Sequence, residues 1–370
     1  MRIESIVIRM LEMELVEGFR TSLWETRKRI VLIIELHADD MIGYGECTAG
    51  ENPYYSYETY ETALIILRKY LVRMILGKEF EDPYEFRKSL EGIRGHKMAK
   101  TSLEYAFWDL YGKQQGKPLY EIYGGTKRRV SVGVSIGIKE DVSELIKVIE
   151  EYLERGYRRI KIKIMPGYDI DVVRTIRDVY PGIPLMVDAN GAYTMAHREV
   201  FKTLDKYNLL MIEQPLHYED LLDHAELQCI LETPICLDES ITSLGAAKIA
   251  AKLGSCRIIN IKPPRVGGVI ESMKIHDYAG KVGIRLWIGG MLETGVGKVH
   301  LLHIASLPNI NYPSDIAESC RYWMEDIIDP PNKLNKDGAI DVPTKPGIGV
   351  EIREDLLEKY QRKQWVYSVL

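Results

Sequence analysis

The sequence predicts an α/β protein built on a modified (β/α)₈ barrel, similar to a TIM barrel, with an α+β capping domain before it. From about residue 126, short apolar runs alternate with amphipathic segments, which is typical of parallel strands joined by helices. Eight such units over roughly 200 residues favour a closed barrel over an open sheet. Residues 1–125 lack this alternation and predict strands followed by helices.

The strands of the capping domain come first. Ile6, Ile8 and Met10 recur at the period of two that is typical of a strand. Residues 29–37 are β-branched and aliphatic, and they lead through two aspartates into residues 41–47, which predicts a hairpin.

Two helices are predicted next. Residues 59–76 form the first, which ends at Gly77, a normal position for a C-terminal glycine. Thr101 or Ser102 is expected to cap the second, which carries apolar side chains on one face and stops before Gly116.

The predicted barrel strands are short apolar runs, each followed by a helix or connector. They are residues 130–136, 159–164, 184–187, 209–212, 234–237, 257–261, 284–288 and 309–312. The periodicity fades after Ser319, and residues 347–353 predict a late strand. We therefore expect a capping domain at 1–125, a catalytic barrel at 126–325, and a C-terminal segment at 326–370 that returns to the capping domain.

Composition limits the class of protein. The 370 residues carry 49 Lys and Arg against 54 Asp and Glu, and this net charge of −5 does not favour nucleic-acid binding. The aliphatic runs are too short to span a membrane, and the first residues lack the apolar segment of a signal peptide. The five cysteines form no Cys-x-x-Cys pair, so we expect neither a disulfide framework nor a zinc ribbon. These features predict a cytoplasmic enzyme.

Five charged residues stand where consecutive predicted strands end. They are Lys163, Asp188, Glu213, Asp238 and Lys262, at intervals of 25, 25, 25 and 24 residues. A single charge after a strand is commonly only a solvated strand end. Because one strand–helix unit is about as long as these intervals, however, the five occupy equivalent positions at the end of a barrel where active sites lie.

The residue types predict a metal site with lysines beside it. Three carboxylates without a histidine or thiolate form a hard oxygen site, which suits Mg²⁺, or Mn²⁺ in its place. Lysine has an ordinary pKa of about 10.4, and a metal and a second lysine nearby would lower it toward the working pH. Lys161 lies on the same strand face as Lys163, and Asn190 stands in the same relation to Asp188.

Some of these assignments remain open at this point. Glu239 is an alternative metal ligand to Asp238, and position alone favours neither. His300 and His303 share a helix face but have no third metal ligand near them in sequence, so we interpret them as ordinary helix residues. The chain has no glycine-rich phosphate-binding motif, so nucleotide binding is not expected.

Five ordered motifs resemble the enolase superfamily and its muconate-lactonizing subgroup. They are Lys161-Ile-Lys163, Asp188-Ala-Asn190, Glu213-Gln-Pro215, Asp238-Glu-Ser240 and Asn260-Ile-Lys262. The resemblance covers nearly the whole chain and implies a capping domain that closes over the barrel. The mandelate-racemase subgroup would need a histidine at the seventh strand, where Trp287 and its neighbours supply none.

The resemblance also implies a role for each strand-end residue. Three carboxylates would bind Mg²⁺, namely Asp188, Glu213 and Asp238. Lys163 would be the acid/base on one face of the substrate, Lys262 would lie on the opposite face, and Lys161 would lower the pKa of Lys163.

Three more segments resemble one branch of this subgroup, the o-succinylbenzoate synthases and N-acylamino acid racemases. They are Gly289-Gly-Met-Leu-Glu-Thr-Gly295, Asp315-Ile-Ala-Glu-Ser319 and, in a loop of the capping domain, Phe19-Arg-Thr-Ser22. The residues that would bind the substrate or support the site are Phe19, Arg20, Thr21, Ser135, Lys161, Asn190, Glu239, Gly290 and Met291. An apolar lid, or else packing between the domains, is the expected role of Phe19, Trp24, Tyr54 and Tyr55.

The branch implies o-succinylbenzoate synthase activity, a carbon–oxygen lyase reaction of menaquinone biosynthesis. The substrate would be a succinyl-hydroxycyclohexadiene carboxylate, which loses water after a lysine removes its α-proton. The alternative is racemization of N-succinylamino acids by the same two lysines. Muconate cycloisomerase and dipeptide epimerase fit less well, since the latter usually carries Asp-x-Asp where this chain has Asn311-Tyr-Pro-Ser-Asp315. A non-catalytic ligand-binding barrel is the least expected case.

The expected partners follow from this assignment. We expect a small-molecule carboxylate substrate, no nucleic acid, no membrane, and a homo-oligomeric state.

Overall fold

Strands and helices of the computed structural model, which describes residues 1–369, are numbered here in chain order. The strands are β1 (Ser5–Arg20), β2 (Glu25–Ala38), β3 (Met41–Cys47), β4 (Arg129–Ser131), β5 (Val134–Ile136), β6 (Ile160–Lys163), β7 (Leu185–Asp188), β8 (Ile212–Glu213), β9 (Ile235–Leu237), β10 (Ile258–Ile261), β11 (Arg285–Ile288), β12 (Ile328–Asp329), β13 (Ala339–Asp341), β14 (Glu351–Ile352) and β15 (Gln361–Ser368). The α-helices are α1 (Tyr60–Ile66), α2 (Val72–Ile75), α3 (Pro83–Ser89), α4 (Lys97–Gln114), α5 (Leu119–Tyr123), α6 (Val142–Glu154), α7 (Ile170–Val179), α8 (Arg198–Leu204), α9 (Leu222–Cys229), α10 (Leu244–Leu253), α11 (Pro263–Val266), α12 (Val269–Val282), α13 (Gly295–Ala305) and α14 (Glu354–Tyr360).

A four-stranded antiparallel sheet, in the order β15-β1-β2-β3, forms the first part of the fold. The predicted hairpin is confirmed, with Ala38 opposite Met41. Asp39 and Asp40 both have positive φ angles, 49° and 60°, as a two-residue turn between twisted strands requires. The last strand of the chain, β15, pairs with β1 and so brings the C-terminal segment onto this sheet.

The helices that cover this sheet differ from the prediction in two places. The predicted first helix is divided into α1 and α2 by a π-helical stretch, Leu67–Leu71. The second, α4, begins at Lys97, so Thr101 and Ser102 are buried inside it and the prediction that one of them caps it was wrong. Ser102 instead donates its hydroxyl to the Ala99 carbonyl (2.8 Å), which is how a hydroxyl side chain is accommodated inside a helix.

Seven parallel strands, β5 to β11 in sequential order, form the second sheet and confirm the predicted barrel architecture. The predicted eighth strand, residues 309–312, is not a strand. Ile310 forms one parallel bridge with Leu286 of β11, and Ser314 forms another with Val132 beside β5. Pro313 lies between them and has no N–H for a continuous ladder, so the ring closes through isolated bridges.

Two other predicted strands are also shorter than expected. The run 130–136 is interrupted at Gly133, and its first part, β4, pairs with β13 instead of joining the barrel. The predicted late strand at 347–353 is reduced to β14, because Gly347 and Gly349 take positive φ angles of 68° and 78° that bend the chain.

Buried apolar side chains form one large cluster in and around the barrel and a second cluster beneath the four-stranded sheet. His300 and His303 lie in α13 within this core, and each imidazole contacts a buried backbone group. His300 Nε2 lies 2.9 Å from the Tyr44 carbonyl, and His303 Nδ1 accepts a hydrogen bond from Tyr120 N–H. Within residues 1–369, no helix is both long and apolar enough to cross a membrane.

Glu46 of β3 joins the four-stranded sheet to the barrel. Its carboxylate accepts hydrogen bonds from Thr294 N–H (3.1 Å), the Thr294 hydroxyl (2.7 Å) and Gly297 N–H (2.8 Å) at the start of α13. The side chain is fully buried. Burial, reinforced by the charge of Glu293, raises the pKa of Glu46 to about 8.

This raised pKa predicts a pH-dependent contribution to stability. The folded protein keeps a proton on Glu46 between pH 4.5, the ordinary value, and about 8, whereas the unfolded chain loses it. Stability therefore falls as the pH rises through this window, with a slope of at most about 1.4 kcal/mol per pH unit from this group. Melting temperatures of the wild type and Glu46→Gln, measured from pH 5 to 8, should show the wild type losing stability relative to the variant. A constant difference between the two would contradict the assignment.

Candidate active site

The five strand-end residues come together at the carboxyl ends of consecutive barrel strands. β6, β7 and β8 end in Lys163, Asp188 and Glu213, and these three stand side by side in register. Asp238 directly follows β9, and Lys262 directly follows β10. All five side chains are buried.

On one side of the ring, two lysines bind to the carboxylates. Lys161 Nζ lies 2.9 Å from Asp188 Oδ2, 2.6 Å from Glu213 Oε2 and 3.3 Å from Asp315 Oδ2. Lys163 Nζ donates to Asp188 Oδ2 at 2.6 Å and to Asn190 Oδ1 at 2.8 Å. Asn190 in turn donates to Glu239 Oε1 at 3.0 Å.

On the other side of the ring, Lys262 lies against Asp238 and an aromatic ring from the capping domain. Its Nζ donates to Asp238 Oδ2 at 2.9 Å and lies 4.4 Å from the centre of the Tyr55 ring. The Tyr55 hydroxyl donates to Asp238 Oδ1 at 3.2 Å, and Arg265 also forms an ion pair with Asp238. Because β6 and β10 are four positions apart in a ring of eight, Lys163 and Lys262 approach from opposite sides.

The pKa of Lys163 is shifted in the opposite direction from those of Lys161 and Lys262. Burial lowers the pKa of Lys163, and the charge of Lys161 lowers it further, against the opposing effect of Asp188. Burial would also lower the pKa of Lys161, but the carboxylates around it raise the value above the ordinary one. The pKa of Lys262 is likewise raised despite burial, through Tyr55 and nearby carboxylates.

The carboxylates form a donor set that suits a divalent cation. Burial raises the pKa of Glu213, and the charge of Asp188 raises it further, so these two carboxylates disfavour each other's ionised form. The buried Oε2 atom of Glu239 has no hydrogen-bond partner in the described part of the chain, and Oε2 of Glu213 has only the ion pair with Lys161 at 2.6 Å. No three acidic, histidine or cysteine side chains in residues 1–369 have the spacing of a ready metal site, and ammonium groups lie between the carboxylates instead. The oxygen-only donors and their mutual repulsion fit Mg²⁺ or Mn²⁺, which would take the place of those ammonium groups.

A cavity of about 380 Å³ lies between the barrel and the capping domain and is open to all three lysines. Most of the residues predicted to bind the substrate or support the site line it, namely Phe19, Thr21, Ser135, Lys161, Asn190, Gly290 and Met291. The Ser135 hydroxyl is buried and has no hydrogen-bond partner among the described residues, so it is free to bind a ligand. Arg20 and Glu239 are not among the lining residues. Arg20 turns toward Glu140, 3.7 Å away, on the outer side of its strand.

Three residues contact the lysines or their carboxylates although the sequence analysis did not predict those contacts. Tyr55 was expected only as part of an apolar lid, yet its hydroxyl reaches Asp238. Arg265 contacts Asp238 from the short helix α11, which follows Lys262. This contact could not be predicted without knowing that the chain turns at α11. Asp315 lies among the residues that close the ring, and it joins Lys161 to the buried Arg159. Two signals were available for Asp315, namely its place three residues after a strand-like run and its place at the start of the segment Asp315-Ile-Ala-Glu-Ser319.

Comparison with known proteins gives two family matches that together cover most of the chain. Residues 4–124 match the N-terminal domain of the mandelate racemase / muconate lactonizing enzyme family, and residues 144–356 match the enolase C-terminal domain-like family. An o-succinylbenzoate synthase from Geobacillus stearothermophilus is 48% identical over 97% of this chain and 96% of its own length. An N-succinylamino acid racemase from Thermus thermophilus is 44% identical, covering 97% of each chain.

Solved structures give the same result for the fold. A member of the enolase superfamily from Listeria innocua superposes with a TM-score of 0.96 at 38% identity, over 100% of this chain and 99% of its own. A muconate lactonizing enzyme from Pseudomonas fluorescens has a TM-score of 0.93 at 24% identity, over 98% and 99% of the two chains, which supports the fold alone.

Proposed function

The chain belongs to the mandelate racemase / muconate lactonizing enzyme family of the enolase superfamily, and on that premise we propose that it is an o-succinylbenzoate synthase. Relatives of that name are 44–48% identical over nearly the full length of the chain. The reaction is the loss of water from a succinyl-hydroxycyclohexadiene carboxylate, and its aromatic product would serve menaquinone synthesis.

The observation that carries the proposal is the placement of two lysines on opposite sides of one carboxylate cluster. Lys163 and Lys262 line the same cavity, and each contacts a different member of the cluster. A base facing a buried cationic group is suited to removing a proton next to a carboxylate, because negative charge then develops between them.

Each residue has a distinct task in the dehydration. Lys163 Nζ removes the α-proton and returns a proton to the departing hydroxyl on the same face. Lys262, held as a cation by Asp238, stabilises the negative charge that develops on the substrate from the opposite face. Asp188, Glu213 and Asp238 would hold Mg²⁺, with Glu239 beside them. When bound, this cation would supply positive charge at the substrate carboxylate, which would make the α-proton more acidic.

A second activity, racemization of N-succinylamino acids, is favoured by one specific observation. Lys262 is also within reach of the cavity, so it is placed to move a proton on the face opposite Lys163. Dehydration needs proton transfer by Lys163 alone, whereas racemization needs both lysines. Relatives at similar identity carry either name, so the chain is expected to support both reactions.

Replacing Lys262 should separate the two reactions. Lys262→Arg keeps the positive charge but moves protons poorly, because the guanidinium holds its proton too tightly. We expect the variant to lose deuterium incorporation from D₂O at the α-carbon of one enantiomer of an N-succinylamino acid, and to keep measurable dehydration. NMR of the exchanged amino acids, run beside product formation from the cyclohexadiene substrate, gives both rates. If the variant exchanged both enantiomers as fast as the wild type, Lys262 would not be a racemization base.

A further inference from the structure

Two further buried cations line the same cavity as the reacting lysines. Arg29, on β2 of the capping domain, is 6% exposed, and Lys298, on α13 of the barrel, is 1% exposed. Arg29 Nη2 donates to the Thr48 carbonyl at 2.8 Å, whereas its Nε has no partner among the described residues. Lys298 Nζ has one long hydrogen bond, 3.3 Å to the Glu318 carbonyl, and lies 4.9 Å from the centre of the Tyr322 ring.

Neither cation forms an ion pair with a carboxylate within 4 Å in residues 1–369, and the hydrogen bond of each goes to a backbone carbonyl. Buried charges without a partner are costly, so proteins rarely keep them unless a ligand or metal completes the site. Burial lowers the pKa of both side chains, and an anion bound against them would reverse that effect.

The acidic residues nearest to these cations do not neutralise them. The charges of Glu46 and Glu293 oppose the lowering of the pKa of Arg29 and Lys298, and at Lys298 the charge of Asp326 opposes it most strongly. Asp326 accepts from Gly295 N–H at 2.7 Å and from Ile327 N–H at 2.8 Å, and it does not line the cavity. Glu46 is engaged by the start of α13, and burial keeps it largely protonated at neutral pH because its pKa is about 8. Glu293 Oε2 accepts from Met291 N–H at 2.7 Å, which fixes this carboxylate in its loop. Arg29 and Lys298 therefore donate only to backbone carbonyls on this wall of the cavity, and no carboxylate of the described residues forms an ion pair with either.

We propose that Arg29 and Lys298 form a specificity site for the remote carboxylate of a dicarboxylate substrate, the terminal carboxylate of a succinyl group. This inference rests on the proposed function, in which the other carboxylate of the substrate would lie at the Mg²⁺ site of Asp188, Glu213 and Asp238. Arg29 comes from the capping domain and Lys298 from the barrel, so the site exists only where the two parts face each other. A serine hydroxyl such as that of Ser135, or a backbone N–H, is suited to binding a carbonyl oxygen of the substrate. Two cations are instead suited to binding a second carboxylate.

Matched ligands test this site without requiring turnover. o-Succinylbenzoate and its butanoyl analogue differ only in having a terminal carboxylate or a methyl group. Titration calorimetry with Mg²⁺ present should show the wild type binding the succinyl compound about 10–100-fold more tightly, the contribution expected of charge-assisted hydrogen bonds. Arg29→Met and Lys298→Met should each remove most of that preference and leave the affinity for the butanoyl compound unchanged. Lys298→Arg should restore part of it.

A nearby arginine provides the control. Arg27 lines the mouth of the same cavity, but its side chain is 81% exposed, so Arg27→Met should keep the wild-type preference. In steady-state assays, Arg29→Met and Lys298→Met should raise KM for succinyl substrates and change kcat little.

Three outcomes would overturn the inference. They are equal affinity of the wild type for the two ligands, equal losses for both ligands in the variants, or no loss for either. Equal losses accompanied by a lower melting temperature would mean that the two cations only hold the capping domain on the barrel. If the preference depends on both cations but the cyclohexadiene substrate is not turned over, the specificity site stands and the proposed synthase reaction is wrong.

Discussion

Lys163→Ala is expected to lower kcat for dehydration by about 10⁴-fold or more, because in the proposed reaction this one side chain both removes the α-proton and returns a proton to the leaving hydroxyl. No neighbour can replace it. Lys161 is held among three carboxylates that raise its pKa, and Lys262 lies across the ring. The fold should be retained, since Asp188 still has Lys161 at 2.9 Å as a partner.

The experiment compares product formation with circular dichroism and melting temperature in the same preparations. Lys28→Ala is a matched control, because Lys28 lines the same cavity but its side chain is 52% exposed. The control should keep near wild-type activity. A Lys163→Ala protein with more than a tenth of wild-type kcat would remove Lys163 from its role.

Glu213→Gln is expected to weaken divalent-cation binding by about 100-fold or more and to abolish turnover at ordinary metal concentrations. Glutamine has the shape of glutamate but lacks its charge. It would still accept the hydrogen bond that Asn260 Nδ2 now gives to Glu213 Oε1 at 2.7 Å. Loss of metal affinity would therefore report the missing charge and not a collapsed site. Titration calorimetry with Mg²⁺ and Mn²⁺ measures it directly.

Glu239→Gln provides the comparison for Glu213→Gln and addresses the ligand ambiguity at Asp238 and Glu239. Glu239 Oε1 already accepts a hydrogen bond from Asn190. Asp238 instead forms ion pairs with Lys262 and Arg265, and a metal ion would displace these cations or bind beside them. We expect Glu239→Gln to retain most of the metal affinity. If it bound metal as weakly as Glu213→Gln, Glu239 would have to be counted among the ligands.

The spacing of charged residues predicted the centre of the site because a parallel barrel repeats one unit at a nearly constant length. Lys163, Asp188 and Glu213 end three neighbouring strands in register, so their proximity follows from the repeat itself. Lys262 and Asp238 follow the next two strands in the same way. These contacts could therefore be predicted without knowing the conformation of the loops.

Contacts between parts of the chain that are far apart in sequence could not be predicted from the repeat. Tyr55 reaches Asp238 from a loop of the capping domain, 183 residues away in sequence. The apolar residues of the segment that closes the barrel, 309–312, predicted a strand. Pro313, which has no N–H, leaves only isolated bridges there. Arg20 belongs to a motif predicted to contact substrate, yet its strand turns the side chain toward Glu140. Periodicity shows which residues are apolar, but it does not show which side of a loop faces the cavity.

The most direct test of the proposed function is turnover of the succinyl-hydroxycyclohexadiene carboxylate by the wild-type protein, with and without Mg²⁺. We expect dehydration to the aromatic product with kcat/KM in the enzymatic range of about 10⁴ M⁻¹s⁻¹ or higher. Activity should be lost on chelation and recovered when Mg²⁺ or Mn²⁺ is restored. A panel of N-succinylamino acids in the same experiment measures racemization for comparison. Absence of dehydration at saturating metal, or dehydration that a chelator does not affect, would contradict the account.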